Sequence, residues 1–259
     1  MTGLIVSEQM KLWLRRNTQL MTGGLVLLNL VLITQERLAS PVRESFWSAV
    51  GGQSWLVFLV KIFTIIVAGG IIANEYNWGT LKLLLIRPVT RSQVLLAKYL
   101  TVMLFALCLL ILLVGVSLLW NGLFYLTGLG GGADATPLVA ELQWSAGAVF
   151  RLYLLLGVET MIYASIAFCC SVVVRSNAFA IGLTFFLMLF GSEFSRLFLG
   201  KTWGKWLLFN HSNLAQYAKS VPAVGTVNGL AVSLGVILAY LLVFYLIGWW
   251  LFTKRDVLH

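Results

Sequence analysis

The chain has 259 residues, of which 60% are hydrophobic and only 10% are charged. A soluble domain of this length carries about a quarter charged residues, so the composition excludes an ordinary soluble domain and predicts a protein that lies in a membrane. The net charge of +9 could suit nucleic acid, but basic loops that fix membrane topology account for it more simply. No nucleic-acid partner is therefore predicted, whereas membrane lipid is.

The first sixteen residues predict an amphipathic helix that lies on the membrane surface. Val6 and Met10 recur at helical spacing, while Glu8 and Lys11 lie on the other side of the helix. The alternative is a signal peptide, but the sequence after the next apolar run resembles a cleavage site only loosely. We therefore expect residues 1–16 to form a surface helix, called the elbow helix below.

Six long apolar stretches follow, and a membrane-spanning helix needs roughly 20 mostly apolar residues. The predicted fold class is therefore an all-α membrane protein, in which the elbow helix is followed by a six-span transmembrane domain over residues 17–259. The predicted spans are residues 18–34, 52–73, 94–120, 146–174, 178–199 and 229–252.

The distribution of Lys and Arg favours an orientation in which both termini are cytoplasmic. In that orientation ten basic residues lie inside and eight lie outside or within spans, and the stretch of residues 74–100 alone carries four. The chain is therefore expected to be a multi-pass protein of the cell membrane.

Two ionisable residues, Lys61 and Glu159, lie well inside predicted spans. Their depths from the outer face differ by roughly 5 Å at the rise of an α-helix, which two flexible side chains can bridge. An unpaired charge at such a depth costs several kcal/mol, so intramembrane charges find partners. We predict a Lys61–Glu159 pair, which either lines a substrate or ion path or fastens two helices together.

The polar stretch NEYNWGTLKLLLIRPVTRSQVLLAKYL joins the second and third spans. Gly79 permits a sharp change of direction, and Pro88 ends a short, mostly apolar helix over residues 80–86. Thr90 and Gln93 have the spacing of a capping box, which predicts the start of the third span. The loop therefore encodes a short transverse helix between two turns, a shape that can dock into a groove on a soluble partner.

This loop resembles the cytoplasmic loop of the permease subunits of type-2 ABC exporters. The resemblance extends to the elbow helix and six spans, but its specificity lies in the loop over residues 74–93. The resemblance implies that this loop is a coupling helix seated on an ATPase subunit. The residues that would carry this coupling are Glu75, Gly79, Thr80, Leu81, Lys82, Leu83, Arg87, Pro88, Thr90 and Arg91.

The resemblance also implies the function and the partners. The chain would be the permease subunit of an ATP-driven exporter, working by alternating access with a second permease subunit, identical or different. The substrate would be hydrophobic or amphipathic, such as a peptide, an antibiotic or a lipid-like molecule. ATP and Mg²⁺ would bind to the partner ATPase, and this chain would bind no cofactor.

Enzymatic activity of the chain itself is not predicted. Gly200-Lys201-Thr202 ends like a phosphate-binding loop, but the required first glycine is replaced by Ser195. The two histidines have no metal-ligand spacing, and His211, which lies between Asn210 and Asn213, is expected in a polar loop or a helix cap. The alternative function is an independent ion-coupled secondary transporter or channel that uses Lys61 and Glu159.

Overall fold

The computed structural model describes residues 2–39, 45–77, 90–127, 144–198, 201, 203–218 and 229–254. Within these ranges all regular secondary structure is helical, and there is no strand. Six helical segments are long and apolar enough to cross a membrane. The prediction of an all-α membrane protein with six spans is confirmed at this level.

The α-helices of the described ranges follow in chain order. They are α1 (Thr2–Trp13), α2 (Arg16–Ala39), α3 (Phe46–Gly52), α4 (Val57–Asn77), α5 (Arg91–Leu126), α6 (Ala146–Val174), α7 (Asn177–Arg196), α8 (Leu208–Ser212) and α9 (Leu230–Lys254). Single turns of 3₁₀-helix cover Gln53–Leu56, Gly204–Trp206 and Leu214–Tyr217. The candidate spans are α2, the continuous segment Phe46–Tyr76, α5, α6, α7 and α9.

Local side-chain chemistry fixes several helix ends. The predicted capping box is present at the start of α5, where the Gln93 Oε1 accepts a hydrogen bond from the Thr90 N–H at 3.2 Å. At the end of α6, Arg175 adopts the left-handed conformation (φ 59°), which ends the helix and lets α7 begin two residues later. The Arg175 guanidinium lies 4.4 Å from the centre of the Tyr76 ring, so this turn also packs on the end of α4.

Several predicted span boundaries need correction, and two of them have a clear structural reason. The second span was predicted to start at Gly52, but helix α3 precedes it from Phe46 and continues through a 3₁₀ turn. Gln53 lies in that turn, where its side chain is buried and accepts a hydrogen bond from the Asn121 amide. This polar residue interrupts the apolar pattern of the sequence, although it belongs to the membrane-spanning segment. The fifth span was predicted to reach Leu199, but α7 ends at Arg196, and Leu199 lies outside the described residues.

Helix α6 lies at the centre of the bundle and packs against α4, α5, α7 and α9. Its contact with α4 is the most extensive, and α4 also packs closely on α7. A Cβ added at Gly69 of α4 would lie 2.8 Å from the Ile181 side chain of α7, so the glycine permits this approach. Apolar side chains on the outer faces of α7 and α9, such as Phe186 and Leu242, are exposed, as expected for helices that face lipid.

Helix α1 packs against the start of α5. Leu12 is buried in this contact, and Glu8 is buried beside it, while Val6 and Met10 are exposed. The prediction had placed Glu8 on a polar face of the elbow helix. That placement is wrong, because the face that carries Glu8 lies against the bundle, where the carboxylate meets a basic residue of α5.

Candidate functional site

Three charged residues from three helices meet at one end of the bundle. The Lys98 Nζ of α5 lies 2.9 Å from the Glu8 Oε2 of α1 and 2.5 Å from the Glu75 Oε1 of α4. Only 1% of the Lys98 side chain is exposed, and 7% of the Glu8 side chain. We call Glu8, Lys98 and Glu75 the triad, and this end of the bundle the triad end.

A fourth charge balances the triad. The Lys11 Nζ lies 2.6 Å from the Glu8 Oε1, and its side chain is 53% exposed. Two carboxylates therefore face two ammonium groups, which offsets the cost of removing charges from water. Burial alone would raise the pKa of Glu8, but Lys98 and Lys11 outweigh it and hold the pKa of this carboxyl below its usual value.

The triad lies at the two points where the predicted coupling loop joins the bundle. Glu75 is in the last turn of α4, and Lys98 is two turns into α5. Of the predicted coupling residues, Thr90 is the N-cap of α5, and Arg91 is its first residue. The remaining predicted coupling residues lie outside the described residues: Gly79, Thr80, Leu81, Lys82, Leu83, Arg87 and Pro88.

The structure brings Lys61 and Glu159 together in the middle of the bundle. The Lys61 Nζ lies 2.8 Å from the Glu159 Oε1, and the two side chains are 11% and 13% exposed. Lys61 is the middle residue of Phe46–Tyr76, and Glu159 is one residue from the middle of α6. The Lys61 ammonium also lies 5.9 Å from the centre of the Tyr163 ring. The role of this pair stays a prediction.

A second polar cluster fastens α2 to α5. The Asn29 Nδ2 donates to the Ser117 Oγ at 3.1 Å. One turn along α5, Asn121 accepts from the Arg37 guanidinium at 2.9 Å and donates to the Gln53 Oε1 at 3.2 Å. These buried amides hold α2 and the 3₁₀ turn in a fixed register on α5, which is a structural role.

Sequence reasoning missed a buried histidine. His211 was assigned to a polar loop or a helix cap, but it lies in α8 with only 1% of its surface exposed. Its Nδ1 is 3.0 Å from the Ser233 Oγ of α9, and that oxygen is 3.2 Å from the Tyr217 hydroxyl. The available signal was the apolar residues on both sides of it, Leu208 and Leu214, which are buried as well.

Comparison with known proteins gives a family without a stated activity. Residues 23–258 match the family model described as "Protein of unknown function (DUF2705)". The chain is similar to "Uncharacterized protein YhcI" of Bacillus subtilis (strain 168), with 34% identity over 228 residues that cover 86% of this chain and 72% of that protein. It is also similar to "Uncharacterized membrane protein YdbK" of the same strain, with 28% identity over 218 residues that cover 83% and 84% of the two chains.

These matches correct the family assignment made from the loop. The family model that matches is DUF2705, and none for type-2 ABC exporter permeases matches, so the assignment to that family is wrong. The physical reason lies in the residues that carried it. Any short helix at a membrane face can use the same residue types: a glycine in the turn, a proline at the helix end, a capping threonine and basic side chains. These residue types therefore do not identify one family.

Proposed function

Because the chain belongs to the DUF2705 family, whose description states no activity, we propose its function from its geometry: it is a membrane permease subunit driven by a separate ATPase subunit that binds residues 74–93. The observation that carries the proposal is the triad, which joins α1, α4 and α5 where that segment meets the bundle. The cargo is a hydrophobic or amphipathic molecule, and the direction is export.

The triad supports mechanical coupling. A force on residues 74–93 is transmitted to Glu75 at the end of α4 and to Lys98 near the start of α5, because these two residues form an ion pair. Lys98 also binds Glu8, so the elbow helix moves together with α4 and α5. Helix α4 runs from Glu75 back to Lys61, which is the middle residue of the span Phe46–Tyr76, and α4 is the main packing partner of α6. Movement at the triad end is therefore delivered to the centre of the bundle.

The composition of the segment supports a protein partner. Residues 74–93 contain three basic residues and an apolar run, a combination that fits a groove with acidic and apolar walls on a soluble subunit. Val6 and Met10 on α1 are exposed and apolar, which suits an elbow helix resting on the membrane surface. In this proposal both termini are cytoplasmic, ATP and Mg²⁺ bind to the ATPase, and a second permease subunit completes the transporter.

The test is reconstitution with candidate ATPase subunits, followed by measurement of complex formation and ATP hydrolysis. Leu83→Asp and Arg87→Glu are expected to release the ATPase. Lys98→Met is expected to keep the ATPase bound but to lose coupling between cargo and hydrolysis. Lys11→Met is the matched control, because it removes an exposed lysine from the same cluster. If no ATPase binds, or the two loop variants bind it as well as wild type does, the proposal is wrong.

A second candidate function rests on the Lys61–Glu159 pair. A charged pair at the middle of two spans is typical of ion-coupled transporters and channels, which need no ATPase. Proteoliposomes that contain the chain alone separate the two candidates. Cargo movement that follows an ion gradient without ATP would favour the second candidate, and cargo movement that needs the ATPase and ATP would favour the first.

A further inference from the structure

A cavity of about 350 Å³ lies between the end of α2 and the 3₁₀ turn that precedes α4. This volume is within the range of small-molecule sites in proteins, which is about 300–1,000 Å³. The walls combine apolar and polar side chains from the two elements, among them Leu32, Gln35 and Glu36 of α2 and Gln53, Trp55 and Leu56 of the turn. We call this space the α2 cavity.

The α2 cavity lies at the end of the bundle opposite the triad end. Gln53 accepts a hydrogen bond from Asn121 at 3.2 Å, and Asn121 lies about 35 Å along α5 from Lys98 at the rise of an α-helix. The hydrocarbon core of a bilayer is about 30 Å thick, so these two points of α5 lie near opposite faces of the membrane. Trp55 is 57% exposed, as is typical of tryptophan at the depth of the lipid headgroups. The cavity is therefore placed where it meets headgroups.

One polar group in the cavity wall has donors without an acceptor. Only 2% of Gln53 is exposed, and its Nε2 has no hydrogen-bond partner in the part of the chain that the structure describes. The amide nitrogen carries two N–H groups, and buried donors of this kind are nearly always satisfied by protein, ordered water or a ligand. A ligand with a phosphate or ester oxygen would supply the missing acceptor.

The α2 cavity also carries a negative charge. Glu36 is exposed, and none of the ion pairs among the described residues includes it. The neighbouring Arg37 is directed to α5, where its guanidinium donates to Asn121 at 2.9 Å and lies 5.4 Å from the centre of the Tyr125 ring. A carboxylate only accepts hydrogen bonds, and the Gln35 amide beside it adds another acceptor. This wall of the cavity therefore suits an ammonium group.

We propose that the α2 cavity binds a membrane phospholipid whose headgroup carries both an ammonium group and a phosphate, as in phosphatidylethanolamine. The ammonium pairs with the Glu36 carboxylate, a phosphate oxygen accepts a hydrogen bond from the Gln53 Nε2, and an acyl chain packs on Leu32 and Trp55. An anionic headgroup without an ammonium is repelled by Glu36, even though the net charge of +9 attracts anionic lipid to other parts of the chain. The site is independent of the ATPase proposal, because it involves none of residues 74–93.

The test uses nanodiscs that contain the full chain and equal amounts of phosphatidylethanolamine and phosphatidylglycerol. A trace of a photoactivatable analogue of one or the other lipid is added, and the crosslinked peptides are identified by mass spectrometry. Labelling at residues 32–36 and 52–56 is compared with labelling at Phe150, which is exposed at the same end of the bundle. We expect the phosphatidylethanolamine analogue to label the cavity several-fold more than the phosphatidylglycerol analogue, and the two to label Phe150 alike.

Two variants of the cavity wall test the site independently. Glu36→Gln keeps the size of the side chain and removes its charge, so we expect the two analogues to label the cavity equally. Gly52 also lines the cavity, has helical dihedral angles (φ −59°, ψ −32°) and has nothing within 4 Å of its Cβ position. Gly52→Leu therefore places a side chain in the cavity without straining the backbone, and we expect labelling by the phosphatidylethanolamine analogue to fall several-fold.

The controls change the same residue types at the same end of the bundle but away from the cavity. Glu193→Gln removes an exposed carboxylate of α7, and Gly147→Leu fills an open position in the first turn of α6. Both are expected to label as wild type does. The proposal is overturned if the wild-type cavity shows no preference or prefers phosphatidylglycerol, if Glu36→Gln keeps the preference, if Gly52→Leu leaves labelling unchanged, or if the controls alter it as much as the cavity variants do.

Discussion

The Lys98 Nζ lies 2.5 Å from the Glu75 carboxylate and so joins the last turn of α4 to the first turns of α5. The two residues are 23 positions apart, and residues 78–89 between them lie outside the described residues. Since the same ammonium also bonds to Glu8, a single buried lysine fixes the relative positions of three helices.

Removing that lysine is expected to destabilise the protein strongly. Lys98→Met leaves Glu8 and Glu75 buried beside each other without the charge between them, and breaking a buried ion pair in this way costs about 3–5 kcal/mol. Thermal unfolding in detergent measures the loss. The control is Lys11→Met, whose exposed ion pair is worth about 0–1 kcal/mol. An equal loss of stability in the two variants would show that Lys98 does not hold the three helices together.

The triad is also expected to weaken in acid. The pKa of Glu8 is held below its usual value of 4.5, since Lys98 and Lys11 outweigh the effect of burial. A carboxyl whose pKa is lowered by folding adds stability above its unfolded pKa and loses it as the pH falls through the folded pKa. The unfolding temperature should therefore be flat above about pH 5 and drop below 4.5. Glu8→Gln should make this drop smaller, and an unchanged pH profile would argue against the buried pair.

The short helix α8 packs closely on α7, and adding a single methyl group to α7 tests this contact. A Cβ added at Gly191 of α7 would lie 2.5 Å from the Phe209 ring, so Gly191→Ala should push α8 away at a cost of about 1–3 kcal/mol. Gly182→Ala on the same helix is the control, because nothing lies within 4 Å of its Cβ position. That control should be neutral or stabilising by about 1 kcal/mol, since alanine favours the helix.

The double variant Gly191→Ala with Phe209→Leu provides the complementary check. A smaller side chain at position 209 leaves room for the added methyl, so we expect stability to recover in part. Thermal unfolding of the four proteins completes the cycle. If the two substitutions are simply additive, α8 does not rest on Gly191 in the folded protein.

The sequence was sufficient for the features that depend on local chemistry. Six apolar runs gave six spans, because the length of a membrane-crossing helix is set by the bilayer. Thr90 and Gln93 gave the start of α5, because a capping box is complete within four residues. The contact of Lys61 with Glu159 followed from depth alone, because the two residues stand at the middle of their spans.

Features that depend on the way helices pack could not be obtained in the same way. Glu8 looked like part of a polar face, and only the docking of α1 on α5 buries it against Lys98. His211 looked like a loop residue, because a polar connection of this length normally stays outside the membrane. Its burial follows from the packing of α8 on α9, where the His211 Nδ1 lies 3.0 Å from the Ser233 Oγ, and no local pattern records this contact.

The role of the charged pair is decided by comparing single and double variants. Lys61→Met and Glu159→Gln each leave one buried charge or polar group without its partner, and we expect each to lose about 3–5 kcal/mol of stability. The double variant removes both charges, so its stability should largely return. Its transport activity then separates the two interpretations: a pair that only fastens α4 to α6 can be replaced without loss of transport, whereas a pair that lines the path cannot. We expect the double variant to fold and to transport poorly, and a stable double variant with full transport would assign the pair a purely structural role.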